Sequence, residues 1–459
     1  MFEQFFTKIQ LLFCAILNPI WNCTKKIDKR NRDKVLCISL MLISLFAYSY
    51  SIFLSVHLLI KCIIGTICML GILIFSIDRE LKPVQWNKTI AGLWLGIGLL
   101  QIITGLCISK EYLPYAFIWL IGFTMIFFVW NNRKDYDFLI ENIYRGFLYP
   151  ACLFFGASIL FSTIKGGYGG VTGNANSVGQ HVAAIFPLAV GFFLIKNNMK
   201  KSEKIMNYFL IAFCLMFSFF SSGRTITVTI LAILFVCAVY ILIFEKGNRW
   251  KIAKRSIALV LGTVLITAFV FPFNKIATSV LPNYEYNVIE KSENKTGNME
   301  NVLDKYVDRM QGNDKAVDDL QNYSSGRIGI WEETIRKTNL FGHPSRDHIV
   351  TERNGDVGNN VHNVFLQFGY DYGVITGVLY SLMVIIAGIT TIKRVFKQKS
   401  QRRIYFMILL IQVSFVCVAM FASISLPFLY EVTFVYYLVY TILFEKVGGD
   451  REKCYVGGK

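Results

Sequence analysis

Cysteine is missing from the long hydrophilic segment of this chain. None of the 11 cysteines falls in residues 274–361, and most lie inside apolar runs. A disulfide-stapled domain or a cysteine metal site is therefore not expected in that segment. The cysteines are instead predicted to act as small apolar filling residues.

The first residues, MFEQFFTKIQLLFCAILNPIW, lack the basic n-region and the small-residue cleavage site of a removable signal peptide. We expect this stretch to form a partly apolar helix that lies in the membrane interface. The apolar runs also lack the period-two alternation of lipid-facing strands, which disfavours a β-barrel.

Apolar residues dominate the composition of the chain. The chain of 459 residues is 54% hydrophobic with a mean hydropathy of +0.48, and its apolar runs reach about 20 residues, enough to cross a bilayer. The composition predicts an all-α polytopic membrane protein with about twelve transmembrane helices. We predict spans near 35–53, 57–77, 89–108, 113–130, 145–164, 177–195, 207–222, 225–244, 255–273, 362–391, 403–421 and 425–444.

Basic clusters recur after every second predicted span, whereas the short loops between them have almost no Lys or Arg. The positive-inside rule then puts both termini, the N-terminal segment 1–34 and the tail 445–459, in the cytoplasm. The formal charge of +17 therefore indicates topology. Nucleic acid is not an expected partner, because the charge is spread over loops instead of one domain.

Residues 274–361 separate predicted spans one to nine (35–273) from spans ten to twelve (362–444) and are expected on the outer face. They hold 11 Lys and Arg against 14 Asp and Glu, a formal charge of −3. A segment this long is usually functional or disordered. Its first part is predicted to be a solvated spacer with a helix near 299–310, and its second part, from Tyr323, is expected to pack on the helix bundle.

Two arginines are candidates for an anion site. Arg224 lies at the tip of a short hairpin, where an unpaired charge would be costly, so a phosphate or carboxylate partner is expected; the alternative is an interfacial Arg that reaches toward water. Arg327 follows Ser324 and Ser325, which could cap a short helix and direct its first N–H groups at the same anion. The alternative for Arg327 is a salt bridge to Glu332 or Glu333.

Several further side chains have both a functional and a structural interpretation. His362, at the start of the tenth span, could serve in catalysis or only form hydrogen bonds, and His343 and His348 beside Asp347 are weaker candidates. No metal site is expected, because no third ligand has suitable spacing. Asp371 and Glu431 are intramembrane acids that could be functional or could pair with Arg224 or Arg327. The Gly- and Asn-rich stretch 166–187 could approach a ligand or form a turn.

Together these motifs resemble the O-antigen ligase and Wzy-type polymerase superfamily. The resemblance rests on SSGR opening the eighth span, GNAN at 173–176, SGRxxxW around Arg327, and HN followed by LQxxxDxG at 366–373, and it covers about 160–445. It implies a metal-independent, inverting glycosyltransferase of the GT-C type without a cofactor. The implied location is the outer face of the cytoplasmic membrane.

The resemblance also implies the partners and the residue roles. The donor would be a glycan on polyprenyl (undecaprenyl) diphosphate, and the acceptor a sugar or glycolipid. Arg224 and Arg327 match the diphosphate-binding arginines and His362 matches the catalytic histidine. Further substrate-binding roles are expected for the following residues: Asn176, Trp331, Arg346, Asn363 and Asp371. The named motifs serve a ligase and a polymerase equally, so both remain open.

Two other classes of function were weighed. A transporter or flippase of lipid-linked sugars would have paired, interrupted helices and ionisable residues near the bilayer midplane. The sequence shows no internal repeat, and its charged candidates gather at one end of the spans. A structural or sensory membrane protein is the remaining alternative.

Overall fold

The computed structural model describes residues 2–52, 58–195, 200–281, 299–311, 327–344, 350–351, 357–358, 360–425 and 429–446. In these ranges the chain is almost entirely helical. The helices are α1 Phe2–Thr24, α2 Lys29–Ile52, α3 Leu58–Ser76, α4 Lys88–Cys107, α5 Leu113–Phe117, α6 Thr124–Arg133, α7 Tyr136–Phe161, α8 Ala175–Ile195, α9 Lys201–Ser221, α10 Arg224–Phe244, α11 Arg249–Val280, α12 Met299–Gln311, α13 Arg327–Lys337, α14 Val364–Tyr372, α15 Val374–Lys397, α16 Arg402–Ala419 and α17 Glu431–Phe444.

Three short helical segments and one small hairpin complete the described structure. Lys110–Tyr112 and Gly170–Thr172 are 3-10 turns, and Ile118–Phe123 is a π-helical stretch that joins α5 to α6. Strands β1 (Val350–Thr351) and β2 (Val357–Gly358) pair antiparallel.

The prediction of an all-α polytopic membrane protein is confirmed. Within the described ranges, nine helices are long and apolar enough to cross a membrane, and Ile63–Ser76 and Glu431–Phe444 are shorter apolar helices. Each of the twelve predicted spans overlaps a helix. The helices predicted at the N-terminus and near 299–310 are also present, as α1 and α12.

The prediction of one continuous span at 362–391 is wrong. The chain breaks at Gly373, whose φ of 92° belongs to the left-handed region that favours glycine. A β-carbon there would lie 2.2 Å from the Leu340 carbonyl oxygen, so the turn also needs glycine for space. As a result, α14 is a separate short helix and only α15 is long enough to span.

The boundary predicted after residue 273 is also early, because α11 continues to Val280. Asn274 is buried, and its amide group donates to the carbonyl oxygens of Ile159 and Ser162 and accepts from the Ile164 N–H. These hydrogen bonds hold the end of α11 against the end of α7.

Helix α17 lies at the centre of the bundle, with all of its residues buried. It packs against α6, α8 and α16, and its aromatic side chains meet a stacked pair, Trp94 and Trp119, whose ring centroids are 3.9 Å apart. Each indole N–H of that pair donates to the backbone carbonyl oxygen of the other tryptophan. Because buried polar groups are costly unless they are hydrogen-bonded, this reciprocal arrangement suits a lipid-embedded core.

One end of the bundle collects the segments of interest, and we call it the site end. Here Thr104 donates to the carbonyl oxygens of Phe341 and Tyr372, and the Tyr112 hydroxyl donates to the His343 carbonyl oxygen. Helix α12 reaches the same end through Tyr306, whose ring lies 5.2 Å from that of Phe219 on α9. The hydrophilic segment is thus anchored on the bundle at several points.

Candidate functional site

Arg224 is the first residue of α10, directly after a tight turn from α9. Ser222 has a φ of 51°, and Gly223 follows in an extended conformation before the helix begins. The turn is fixed from outside by Tyr168, whose backbone N–H donates to the Phe220 carbonyl oxygen at 2.9 Å. The predicted hairpin tip is therefore present, with a half-buried guanidinium at the N-terminus of α10.

Arg327 is the first residue of α13, the short helix that was predicted to follow Ser324 and Ser325. The Trp331 indole N–H donates to the Val361 carbonyl oxygen at 3.0 Å, and Ile330 and Trp331 pack against Val361 and Tyr370. These contacts bring the half-buried Arg327 to the residues that precede α14. The proposed capping residues Ser324 and Ser325 lie outside the described residues.

The alternative role of Arg327, a salt bridge to its own helix, is not realised in the described part of the chain. The carboxylate of Glu333 pairs with Arg336 at 2.8 Å and with Lys337 at 3.2 Å. Glu332 is exposed and forms no ion pair with Arg327 in these ranges.

His362 lies in the turn before α14, between two buried residues, Val361 and Asn363. Its φ of 54° puts it in the left-handed region, where a residue with a side chain is uncommon. Its backbone N–H donates to the Asn360 side-chain oxygen at 2.9 Å and to the Ser423 hydroxyl oxygen at 3.0 Å. The imidazole is half-buried at the site end.

The charges of these three side chains act on one another. Burial lowers the pKa of the Arg327 guanidinium, and the nearby Arg224 lowers it further. Burial and then the positive charge of Arg327 lower the pKa of His362 to about 4. Arg327 therefore lies within electrostatic range of both Arg224 and His362, which are distant from it in the sequence. At neutral pH the site presents two cations and a neutral imidazole.

The five further residues predicted to bind substrate have different surroundings. Asn176 is exposed in the first turn of α8, and its backbone N–H donates to the Asn174 side-chain oxygen at 2.8 Å. Trp331 packs α13 onto the turn before α14. Asn363 is buried, caps α14 by accepting from the N–H groups of Phe365 and Leu366, and donates to the Met420 carbonyl oxygen. Arg346 lies outside the described residues.

Asp371 accepts a hydrogen bond from the Gln367 amide at 2.9 Å. Burial raises the pKa of this carboxyl to about 7, and the hydrogen bond from Gln367 partly opposes that shift. Asp371 forms no ion pair with Arg224 or Arg327 in the described ranges, although such a pair was the structural alternative for this acid. Asp371 instead belongs to a hydrogen-bonded group that leads back to His362.

The ring of His343 stacks on Tyr370, with centroids 3.9 Å apart and planes 3° from parallel. One ring nitrogen lies 3.1 Å from the Tyr370 carbonyl oxygen and the other lies 3.3 Å from the Asn339 amide nitrogen. Both ring nitrogens of His343 are therefore engaged in contacts within the protein. His348 and Asp347 lie outside the described residues, and no group of His, Cys, Asp and Glu in the described ranges could hold a metal ion.

Glu431 is buried at the start of α17, and its partner is His181 instead of the arginine that the structural alternative named. One carboxylate oxygen lies 2.8 Å from Nδ1 of the buried His181, and the other accepts from the Ser44 hydroxyl. The pair joins α2, α8 and α17. Sequence reasoning recognised Glu431 as an unusual intramembrane acid but not its partner, because His181 lies 250 residues away in the chain.

The Gly- and Asn-rich stretch folds as a compact turn that supports the Arg224 hairpin. Gly167, Gly170 and Gly173 all have positive φ, and a β-carbon on Gly169 would lie 2.3 Å from the Asn174 nitrogen. The structural interpretation of this stretch therefore accounts for its glycines.

Residues 208–381 match the family model described as O-Antigen ligase. This segment is similar to the O-antigen ligase family, and it contains Arg224, Arg327 and His362. No curated protein and no solved structure matches the chain.

Proposed function

We propose that this protein is a membrane glycosyltransferase that transfers or polymerises a polyprenyl-diphosphate-linked glycan onto a sugar acceptor. The observation that supports the proposal is the electrostatic influence of Arg224 on Arg327 and of Arg327 on His362, within the segment that matches the O-antigen ligase family. Two guanidinium groups and one neutral imidazole are the groups that such a transfer needs.

The arginines serve the donor. Breaking the bond between the anomeric carbon and the diphosphate leaves negative charge on the leaving group, and fixed cations stabilise that charge best where water is scarce. Guanidinium groups bind phosphate oxygens through paired N–H donors. Burial and then the positive charge of Arg224 lower the pKa of Arg327, and an anion that binds between the two arginines relieves their repulsion. This arrangement supports neutralisation without a divalent ion.

The imidazole serves the acceptor. The acceptor hydroxyl oxygen attacks the anomeric carbon, the bond to the diphosphate oxygen breaks with its electron pair, and the hydroxyl proton passes to the imidazole. With its pKa lowered to about 4, His362 is neutral at physiological pH and free to take that proton. A single displacement of this kind inverts the anomeric configuration.

The distribution of charge supports a site on the outer face of the cytoplasmic membrane. Basic residues flank the helix ends opposite the site end, in 25–34, 133–134, 200–204, 246–255 and 393–403. By the positive-inside rule those ends face the cytoplasm, together with both termini. The site would then face the compartment to which lipid-linked glycans are delivered.

The test is transfer by the purified protein in lipid nanodiscs, with a polyprenyl-diphosphate oligosaccharide and a sugar acceptor in EDTA. We expect product in the wild type and loss of product in Arg327→Ala and His362→Ala. Arg336→Ala is the matched control, because Arg336 is an exposed arginine of the same helix. Transfer that survives in both site variants, or that requires an added divalent ion, would refute the assigned roles.

A second measurement separates the two family activities. Mass spectrometry of lipid-linked intermediates in a deletion strain should show single repeat units if the protein is a polymerase. Long chains that remain on the lipid carrier would indicate a ligase.

A further inference from the structure

The backbone of His362 is held in an unfavourable conformation by a set of side chains outside the reacting groups. A residue with a side chain is strained in the left-handed region and persists there only where its surroundings fix it. Such outliers cluster at functional sites, where the strain holds a group ready to act. The surroundings that fix His362 are therefore of functional interest.

Two of these side chains converge on the turn from different elements. The Ser423 hydroxyl oxygen, from the segment after α16, accepts from the His362 N–H at 3.0 Å and lies 3.4 Å from the Gln367 side-chain oxygen. That oxygen of Gln367, from α14, also accepts from the Val361 N–H at 3.1 Å. The Gln367 amide nitrogen in turn donates to Asp371.

The orientation of Gln367 follows from this pattern. The oxygen of this amide faces two donors, the Val361 N–H and the Ser423 hydroxyl, and its nitrogen faces the Asp371 carboxylate. Because Gln367 is buried, a flipped amide would place its N–H groups against those donors and leave them unsatisfied. The network therefore ties the Val361 N–H to Gln367 directly and the His362 N–H to Gln367 through the Ser423 hydroxyl.

We propose that Gln367 and Ser423 are positioning residues that hold the His362 imidazole beside Arg327 and the reacting groups. Neither residue is assigned contact with substrate; both act through the backbone of His362. The inference rests on the proposed function of His362 and adds the elements that aim it. It also explains why the segment after α16, far away in the chain from the hydrophilic segment, belongs to the site.

The first test compares Ser423→Ala, Ser423→Thr and Gln367→Leu in the transfer assay. We expect Ser423→Ala and Gln367→Leu to lower kcat about 10- to 100-fold with little change in the KM for donor, because a small misplacement of a catalytic group has effects of that size. Ser423→Thr keeps the hydroxyl and should restore most of the rate. Matched controls are Ser381→Ala and Gln412→Leu, which replace a half-buried serine of α15 and a buried glutamine of α16.

The second test does not depend on activity. The chain has five histidines, so NMR of histidine-labelled protein can follow His362, assigned by its loss in His362→Ala. In the wild type its pKa should be near 4, because the ring is buried beside Arg327. In Ser423→Ala and Gln367→Leu the pKa should rise toward the ordinary value, because the released ring moves away from that charge and into water.

The outcomes separate this inference from the proposed function. If Ser423→Ala and Gln367→Leu keep both kcat and the wild-type titration of His362 while His362→Ala is inactive, the positioning role is overturned and the proposed function stands. If His362→Ala retains full activity, the proposed function fails. A variant that loses rate without a change in the His362 titration would show a general structural defect and would also overturn the inference.

Discussion

The buried pair between His181 and Glu431 allows the most detailed prediction about the bundle. Both side chains are buried, and the Glu431 carboxylate lies against Nδ1 of His181 at 2.8 Å and accepts from the Ser44 hydroxyl. Replacing one member by an apolar residue breaks this contact and leaves a buried polar group against an apolar side chain, whereas replacing both removes both polar groups from the core. The two single variants and the double variant should therefore differ sharply in stability.

The size of the effect can be worked from this geometry. Breaking a buried pair from one side costs about 3–5 kcal/mol, whereas replacing both members by apolar residues is often close to neutral. A chain of 459 residues that unfolded as one unit would have an unfolding entropy of about 1 kcal/mol/K. We therefore expect Glu431→Leu and His181→Leu each to lower Tm by about 3–5 °C, and the double variant to lower it by much less than their sum.

The measurement uses the buried cysteines as reporters. Cys68, Cys214 and Cys237 are buried, so a thiol-reactive fluorogenic dye reacts as the bundle opens on heating. The control is Glu333→Gln, which breaks a solvent-exposed ion pair and should leave Tm almost unchanged, because exposed ion pairs contribute little to stability. Single variants that melt within about 1 °C of the wild type, or a double variant that shows the full sum of the two losses, would refute the reasoning.

Four shorter predictions concern the site. Arg224→Ala should lower kcat about 100- to 1,000-fold in the transfer assay, as for the loss of one group that stabilises a developing anion, and Arg224→Lys should recover only part of the rate. The acid limb of kcat/KM should lie near pH 4, because His362 accepts a proton only above its lowered pKa of about 4; a limb near pH 6.5 would contradict this. The wild type should lose stability as pH rises from about 4 to 7, because the folded-state pKa of Asp371, about 7, lies above its ordinary value of 3.8 and the folded state therefore binds more protons in that window. Asp371→Asn should abolish this loss, which thermal melts at a series of pH values measure. Gly373→Ala should lower Tm by several degrees, because a β-carbon there meets a backbone carbonyl at 2.2 Å and the φ of 92° is unfavourable for alanine.

The sequence predicted those parts of the site that depend on residue type and local spacing. The short hairpin at Arg224 and the short helix at Arg327 were visible as local patterns, whereas His362 was placed at the start of a continuous span and its turn was not predicted. Ser423 was not predicted, because a serine between two spans has no distinctive pattern. Ser423 reaches His362 because the segment after α16 folds back to the start of α14. Only long-range packing decides that arrangement.

Two residues near α14 have local structural roles that the sequence interpretation did not include. Asn363, which stays a predicted substrate-binding residue, caps α14 and reaches the Met420 carbonyl oxygen through its amide. Gly373 was placed inside a continuous span, since an isolated glycine in an apolar run is compatible with a helix. The break there follows from the close approach of the chain around Leu340, which hydropathy does not report.

Sequence alone determined the helices and the order in which they cross the membrane. An apolar run of about 20 residues in lipid must satisfy its backbone hydrogen bonds internally, so each such run becomes a helix whatever its neighbours are. Tertiary structure decided which helices touch, and hence that Arg224, Arg327 and His362 share one end and that Glu431 meets His181. Lateral packing depends on the fit of side chains from distant parts of the chain, and a hydropathy pattern that is uniform around a helix does not say which face will meet which partner.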